Sequence, residues 1–259
     1  MDNNHNDNSI NDFDYRLICE YFSSVDRQGP GSDEATLRAL SFIPGLTAAS
    51  HVADLGCGTG SSALLLARIL GCRVTALDLF PDFLDRLRTR ADALGLSPRL
   101  TTVEASMDSL PFADDAFDAI WSEGAIYNVG FARGLRLWRR HIRSGGFLAV
   151  TDATWLTADR PAAIADFWND AYPQIGTMAS NLQALVDAGY TPVAAFVLPD
   201  SCWRDNFYLP QRKVQQAFLD RHPGNATAAG LVDCQRREAE MYEAYHSYYG
   251  YVFYIARKC

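Results

Sequence analysis

The sequence has 259 residues, of which 31 are acidic and 23 are basic, so its formal net charge is −8. Apolar residues make up 48% of the chain and charged residues 21%, a composition that excludes disordered and collagen-like chains. An acidic chain is poorly suited to bind a phosphate backbone over a broad surface, so nucleic acid is not expected as a partner.

The N-terminal residues, MDNNHNDNSINDFD, lack the basic start and the apolar stretch of a secretory signal, and residues 1–13 are predicted to be disordered. No apolar run approaches the ~20 residues that a membrane-spanning helix needs. The six cysteines are scattered, without zinc-ligand spacing, so no metal and no disulfide framework is expected. We predict a cytoplasmic protein that does not act at a membrane, as a monomer or homodimer.

Two short helices are predicted before any strand. Apolar residues recur at helical spacing from about Tyr15, and a second helix is predicted over Asp33 to Phe42. The segment Arg27-Gln28-Gly29-Pro30-Gly31-Ser32 between them has the composition of a loop. We predict that residues 1–47 form an N-terminal tail and a helical cap, suited to act as a lid, and that residues 48–259 form the main domain.

Short apolar strands then alternate with helices. Repeated β–α units of this length predict a parallel sheet with right-handed crossovers and helices on both faces. The last hundred residues are less regular and are predicted to hold a helical insertion at about residues 200–249. The predicted strands are Val52–Leu55, Arg73–Leu79, Leu100–Glu104, Ala116–Ser122, Phe147–Thr151, Val193–Leu198 and Tyr251–Ala256. The predicted helices of this part are Ser61–Leu70, Phe83–Leu94, Phe131–Arg143, Ala162–Ala171 and Met178–Ala188.

The turn after the first predicted strand is the most informative motif. It reads Asp54-Leu55-Gly56-Cys57-Gly58-Thr59-Gly60. Glycines let a backbone turn tightly and approach a ligand closely, and ligands of open α/β sheets bind at this carboxyl end of the strands. Asp78 ends the next strand, where a carboxylate can accept both hydroxyls of a ribose. The pattern predicts a nucleotide-like ligand.

Two cofactor classes use such a turn. Dinucleotide enzymes have the pattern G-x-G-x-x-G, but Ser61 stands where its last glycine belongs. Asp54 stands two residues before the first glycine, where a carboxylate is awkward beside a pyrophosphate but suits an ammonium group. S-adenosylmethionine (SAM) has both an ammonium group and a ribose, so SAM is the predicted cofactor.

The chain resembles the class I SAM-dependent methyltransferases well over about residues 48–200. The resemblance implies an α/β fold: a seven-stranded, mostly parallel, Rossmann-like sheet with helices on both faces, an antiparallel last strand and an N-terminal helical cap. The loop at residues 27–32 and the segment at residues 122–128 are similar to a bacterial subgroup near the ubiquinone/menaquinone-biosynthesis type. The segments that carry the family resemblance are Val52–Gly60, Ser106–Phe112, Phe117–Trp121 and Leu137–Val150.

The resemblance also implies roles for single residues. Asp54 would act on the amino group of SAM through a water molecule, Asp78 would bind its ribose hydroxyls and Leu79 would lie against its adenine. The other cofactor-binding residues implied in this way are Gly56, Cys57, Gly58, Gly60 and Ser122.

The adenine edge departs from the family pattern. Many relatives have Asp or Asn at the position of Ser106, so either Ser106 or Asp108 would contact the adenine amine. The backbone N–H of Met107 is the expected partner of an adenine ring nitrogen.

Glu123 follows the fourth strand at the rim toward which the methyl group should point. Its predicted catalytic role is that of general base or cation partner for the nucleophile, and the alternatives are a ligand of the SAM ammonium or a solvated rim carboxylate. No metal ligand is predicted. The predicted substrate-pocket residues are Gln28, Tyr127, Asp152, Trp155 and Tyr172.

The leading interpretation is an enzyme that transfers the methyl group of SAM, in line, to a nitrogen, oxygen or sulfur atom of a small molecule. The alternatives are a SAM-binding regulatory protein without transfer, a protein or RNA methyltransferase, and a dinucleotide oxidoreductase. The acidic charge disfavours RNA, and Ser122-Glu123-Gly124-Ala125 does not resemble the Asn/Asp-Pro-Pro-Tyr motif of amide-nitrogen methylation.

Overall fold

The computed structural model describes residues 15–259, so the predicted disorder of residues 1–13 lies outside the described part. Eight strands form one sheet in this part of the chain. They are β1 (His51–Leu55), β2 (Arg73–Asp78), β3 (Leu100–Glu104), β4 (Phe117–Ser122), β5 (Ile142–Trp155), β6 (Gly176–Thr177), β7 (Tyr190–Val197) and β8 (Tyr249–Lys258).

Helices surround the sheet and form a separate group near the C-terminus. They are α1 (Tyr15–Ser23), α2 (Asp33–Leu40), α3 (Ser61–Leu70), α4 (Pro81–Ala93), α5 (Phe131–Arg139), α6 (Ala162–Ala171), α7 (Met178–Asp187), α8 (Asp200–Trp203), α9 (Leu209–Arg221) and α10 (Ala226–Tyr245). A π-helical segment, Arg204–Tyr208, joins α8 to α9. Within residues 15–259 no helix combines the length and apolarity needed to cross a bilayer.

The strands follow the order β3-β2-β1-β4-β5-β8-β7, and the two-residue strand β6 pairs with the end of β5. β1 to β5 run parallel to one another, whereas β8 runs antiparallel to both β5 and β7. The predicted Rossmann-like sheet with an antiparallel last strand is therefore confirmed.

The fifth strand is much longer than predicted. Gly145-Gly146 led us to expect a turn before Phe147, but β5 already begins at Ile142 and continues to Trp155. The register against β4 shifts between Phe117 and Ala119, so the glycines lie in a bulge within the strand. Pairing with β8 extends the strand to Trp155, and the predicted helix before it ends at Arg139 rather than Arg143.

Each face of the sheet is covered by its own apolar cluster. Val52 and Trp121 belong to the cluster on one face, and Ala53 and Ile120 belong to that on the other. Adjacent residues point to opposite faces of a strand, so both faces of β1 and β4 are buried. Polar ligand-binding groups are consequently expected at the strand ends.

The first helix does not pack with the second. Side chains of α2 join the cluster that covers α3 and the sheet. Those of α1 form a separate cluster with α9 and α10, which includes Tyr21, Phe218 and Leu231. We call α1 together with residues 200–245 the cap, and the rest of the described chain the core.

Candidate functional site

The turn after β1 is held in a shape that requires glycine. Gly56 and Cys57 donate backbone hydrogen bonds to the Leu77 carbonyl oxygen, at 2.8 and 3.0 Å. Gly56 has φ +68°, and a Cβ placed on it would lie 2.4 Å from Ala125 Cβ. Gly60 has φ +88°, and its Cβ would lie 2.0 Å from Leu87 Cδ1. Any side chain at either position would collide with its surroundings.

Asp54 lies fully buried below this turn. Its Oδ2 accepts a hydrogen bond from Ser62 Oγ at 2.7 Å, while Oδ1 is buried without a partner among the described residues. Burial, with a smaller contribution from the charges of Glu123 and Asp78, raises the pKa of Asp54 to about 7. An unsatisfied buried carboxylate oxygen among other acidic groups fits a ligand with an ammonium group.

Asp78 supports the turn from the end of β2. Its Oδ2 accepts a hydrogen bond from the backbone N–H of Gly58 at 2.8 Å, and its Oδ1 accepts one from that of Phe80 at 3.1 Å. Burial raises its pKa, and these backbone bonds oppose the increase. Asp78 is thus placed at the neighbouring strand end, where a ribose is expected.

The loop between α1 and α2 lies directly over the glycine turn. Gln28 Oε1 accepts a hydrogen bond from Thr59 N at 2.9 Å, and Gln28 Nε2 donates to the carbonyl oxygens of Phe22 and Val25. A Cβ on Gly58 would lie 2.3 Å from Gln28 Oε1. A cavity of about 60 Å³ remains between loop and turn, so the described conformation is a closed one.

Glu123 at the end of β4 lines this small cavity. Its Oε1 accepts hydrogen bonds from Thr36 Oγ1 at 2.6 Å and Trp121 Nε1 at 2.8 Å. Its Oε2 lies 3.5 Å from the Arg27 guanidinium, an ion pair in which both side chains are largely buried. Glu123 therefore joins the loop and α2 to the core.

The segment after β3 lies beside an exposed apolar surface. Leu79 is 55% exposed and is available to a flat apolar ring. Ser106 Oγ accepts a hydrogen bond from Asp108 N at 3.2 Å. Asp108 is exposed, and its carboxylate forms an ion pair with Arg133. Of the two side chains predicted at the adenine amine, Ser106 is therefore the one without an ion-pair partner.

Three other residues predicted at the cofactor make internal contacts. The Met107 carbonyl oxygen accepts a hydrogen bond from Trp138 Nε1 at 2.9 Å. Ser122 is buried and its Oγ donates to the Leu55 carbonyl oxygen at 2.8 Å. Cys57 is also buried, but it lines the small cavity. Ser122 thus stabilises the contact between β1 and β4.

A larger cavity of about 330 Å³ lies between the rim of the core and the cap. Gln28, Gly29, Pro30 and Gly124 line both cavities, so these residues separate the glycine turn from the larger space. The other residues that line the larger cavity are mainly aromatic and apolar, and they come from α1, α6, α10 and the beginning of β8. Such a lining is typical of sites for small molecules.

The predicted substrate residues are only partly brought together. Gln28, Tyr127 and Tyr172 line the larger cavity. Asp152 lies behind it, with its Oδ2 accepting a hydrogen bond from Tyr172 OH at 3.2 Å, and burial raises its pKa to about 8. Trp155 lines neither described cavity; it packs against Tyr249.

Glu238, which is not among the residues predicted from the sequence, lines the larger cavity from α10. Glu238 Oε1 accepts a hydrogen bond from Tyr208 OH at 3.1 Å, and burial raises its pKa to about 7. Leu231, Gln235, Glu238 and Tyr242 follow each other at intervals of four, three and four residues, on one helix face. A glutamate on the inward face of a helix is the signal that could have revealed it.

Known proteins resemble this chain in sequence and in fold. A family model described as a methyltransferase domain matches residues 52–146. Methyltransferase GfsG of Streptomyces halstedii is 36% identical over 131 residues, which cover 50% of this chain and 47% of that protein. The chain spans about half, or less, of the length of the first curated relatives it matches. The match is to the methyltransferase domain in general and does not confirm the ubiquinone/menaquinone subgroup.

Two solved structures share the fold across nearly the whole chain. A SAM-dependent methyltransferase from Geobacter sulfurreducens, solved with S-adenosylhomocysteine, has a TM-score of 0.80 and 21% identity, covering 94% of this chain and 98% of its own. The [4+2]-cyclase SpnF has a TM-score of 0.75 and 23% identity, covering 94% and 93%. Because proteins named for different reactions share it, the fold alone does not determine the reaction.

Proposed function

The chain carries a methyltransferase domain of the class I SAM-dependent family, and from this premise we propose that it transfers the methyl group of SAM to a small molecule. The methyl donor would lie over Gly56–Gly60, and the acceptor in the larger cavity on the other side of Gly29 and Gly124. The observation that carries the proposal is the buried, unpartnered Oδ1 of Asp54 beneath a turn with no room for side chains.

Four groups of this chain would hold the donor. Asp54 would pair with its ammonium group, Asp78 would accept its ribose hydroxyls, and Leu79 would cover its adenine. Ser106 would accept a hydrogen bond from the adenine amine. SAM supplies a methyl group that its sulfonium has already activated.

The remaining task of the protein is to align the acceptor and exclude water. The loop at residues 27–31 is placed to do both. Thr59 and Ser61 donate side-chain hydrogen bonds to the Asp26 carbonyl oxygen, at 3.0 and 2.6 Å, and Gln28 covers Gly58. We infer that the loop opens to admit SAM and then closes over it.

Glu123 has a positioning role in this proposal rather than that of general base. Hydrogen bonds from Thr36 and Trp121 and the nearby Arg27 cation already occupy its carboxylate. We expect Glu123→Gln to weaken SAM binding because it loosens the loop, with the pH profile of kcat unchanged. A kcat reduced by about 100-fold or more with unchanged SAM affinity would instead indicate a base.

The first experiment is calorimetric titration of the protein with SAM, S-adenosylhomocysteine and NADH. We expect SAM and S-adenosylhomocysteine to bind and NADH not to bind. Tight NADH binding without SAM binding would contradict the proposal. Incubation of a metabolite extract with methyl-labelled SAM then tests the transfer itself, and we expect label in a small-molecule product.

A SAM-binding protein without methyl transfer is the second candidate, because SpnF, named as a cyclase, shares the fold. It predicts SAM binding in the titration and no labelled product. A protein or RNA acceptor would place the label in the macromolecular fraction. The position of the larger cavity, between core and cap, favours a small acceptor over a macromolecule.

A further inference from the structure

The lining of the larger cavity contains an acidic side chain and no basic one among the described residues. Glu238 is the carboxylate in its lining, and no Lys, Arg or His of residues 15–259 joins it there. Neither nearby arginine lines the cavity: the Arg236 guanidinium is hydrogen-bonded to Gln215 Oε1 at 3.0 Å and lies 3.5 Å from Asp233, and Arg237 is exposed. Whenever Glu238 is ionised, the cavity therefore offers negative charge and no positive charge to its ligand.

Only one oxygen of the Glu238 carboxylate accepts a hydrogen bond from the described residues. Tyr208 OH donates to Oε1, whereas the described residues provide no hydrogen bond to the second oxygen. Gln235 Oε1, one helical turn earlier on the same face, is buried without a partner. Two acceptor groups without donors thus lie side by side in the cavity wall, which a ligand with several N–H groups would satisfy.

Seven of the 18 residues that line the cavity are aromatic. Tyr127 and Tyr172 contact each other with ring centroids 6.0 Å apart, and Phe167 and Trp168 with centroids 5.6 Å apart. Tyr251 closes the side nearest the glycine turn, with its ring 3.4 Å from the Cβ that Gly124 would carry. Ring faces attract cations and exclude water from them, which strengthens a cation's attraction to a nearby carboxylate.

We propose that this cavity binds an apolar molecule that carries an amine, and that its protonated nitrogen pairs with Glu238 between the aromatic rings. An anionic acceptor would be repelled, and a neutral one would leave the carboxylate desolvated without compensation. This inference deepens the proposed function and rests on it for the fate of the bound molecule. The ammonium paired with Glu238 anchors the molecule, and another of its atoms, one with a free electron pair, accepts the methyl group while S-adenosylhomocysteine leaves.

The test compares ligands that differ in charge but hardly in shape. Phenethylamine, phenethyl alcohol and hydrocinnamate form one set, and hexylamine and hexanol form another. Calorimetric titration would measure their affinities for the full chain in the presence of S-adenosylhomocysteine. We expect each amine to bind about tenfold or more tightly than its alcohol, and hydrocinnamate to bind most weakly.

Glu238→Gln removes the charge but keeps the size of the side chain and an acceptor for Tyr208. We expect it to reduce the preference for amine over alcohol to about twofold or less, without changing alcohol affinity. Glu240→Gln is the matched control, because the Glu240 side chain is exposed on the same helix and makes no hydrogen bond to the other residues of 15–259. Glu240→Gln should bind the amines over the alcohols with the same preference as the wild type.

Three results would overturn the inference: alcohols that bind as tightly as amines, an amine preference that survives Glu238→Gln, or no amine binding by a protein that binds S-adenosylhomocysteine. The proposed function fails separately. If neither SAM nor S-adenosylhomocysteine binds but amines still bind in a Glu238-dependent way, the amine site stands and methyl transfer does not.

Discussion

The core and the cap bury their side chains in different ways. In the core, whole strands are apolar on both faces, and buried carboxylates such as Asp54 and Asp78 stand at strand ends. In the cap, polar side chains lie inside the helix contacts: Tyr21 OH donates to Gln211 Oε1 at 3.0 Å and accepts from Gln215 Nε2 at 3.2 Å. The residues proposed to bind SAM thus come from one stretch of the core, residues 54–106, with the loop at residues 27–31 over them. The larger cavity is instead lined by segments as far apart in sequence as Ile18 and Tyr251.

The largest expected effect is in the core, at the glycine turn. Gly56→Ala should reduce SAM affinity by about 100-fold or more, because the added Cβ would lie 2.4 Å from Ala125 Cβ and displace the turn. Gly95→Ala is the matched control, since Gly95 has the same φ of +68° with open space around it. It should lose about 1 kcal/mol of stability and bind SAM normally. Calorimetry measures the SAM affinity of each variant, and thermal unfolding measures its stability. Equal losses of SAM affinity in the two variants would contradict the proposal that SAM binds at the glycine turn.

Asp54→Asn should reduce SAM affinity by about tenfold, because the ammonium loses its buried carboxylate. Since the pKa of Asp54 is about 7, its ionised fraction rises between pH 6 and 7.5, while α-amino groups stay largely protonated. Wild-type affinity should therefore rise roughly fivefold over this range and that of the variant should stay flat. Titrations at four pH values check this, and a flat wild-type profile would contradict the role of Asp54.

The same substitution should stabilise the ligand-free protein. The pKa of Asp54 in the folded protein lies above its ordinary value of 3.8, so ionisation of Asp54 costs folding free energy as the pH rises from about 4 through 7. Asp54→Asn removes that cost and should be more stable than the wild type by roughly 1–3 kcal/mol at pH 8. Urea unfolding at pH 4 and pH 8 measures the difference, which should disappear at pH 4.

Tyr21→Phe should destabilise the cap by about 1–3 kcal/mol, because it leaves Gln211 and Gln215 short of a buried partner. Tyr190→Phe is the matched core variant, since Tyr190 OH donates to the buried Leu135 carbonyl oxygen at 3.1 Å. Backbone amide hydrogen exchange should become faster in α9 and α10 in Tyr21→Phe, and faster in the core in Tyr190→Phe. Identical exchange patterns would mean that core and cap unfold as one unit.

The smallest effect is expected where cap and core meet. Gln28→Ala removes the hydrogen bonds that hold the loop on Thr59 and should weaken SAM binding by about three- to tenfold. Gln183→Ala, at an exposed glutamine paired with Asp187, should have no effect. Unchanged SAM affinity in Gln28→Ala would show that the loop is not a lid.

Much of the core was predictable because local patterns carry its determinants. The β1 turn and the parallel β–α units follow from motifs a few residues long and from the handedness of such units, whereas the antiparallel last strand was expected from the family resemblance. The length of β5 was not predictable, because a bulge at Gly145-Gly146 and pairing with β8 override a local turn signal. The placement of Trp155 outside both cavities follows from that same extension.

The parallel sheet, the glycine turn and the carboxylates Asp54 and Asp78 could be predicted from the sequence, because each depends on residues close together in the chain. The packing of α1 on α9 and α10, the contacts of the Glu123 carboxylate and the position of Glu238 in a cavity wall could not be predicted in this way. These three features depend on contacts between segments that are distant in the chain. In a helix as polar as α10, an inward-facing glutamate differs from its solvated neighbours only in what packs against it.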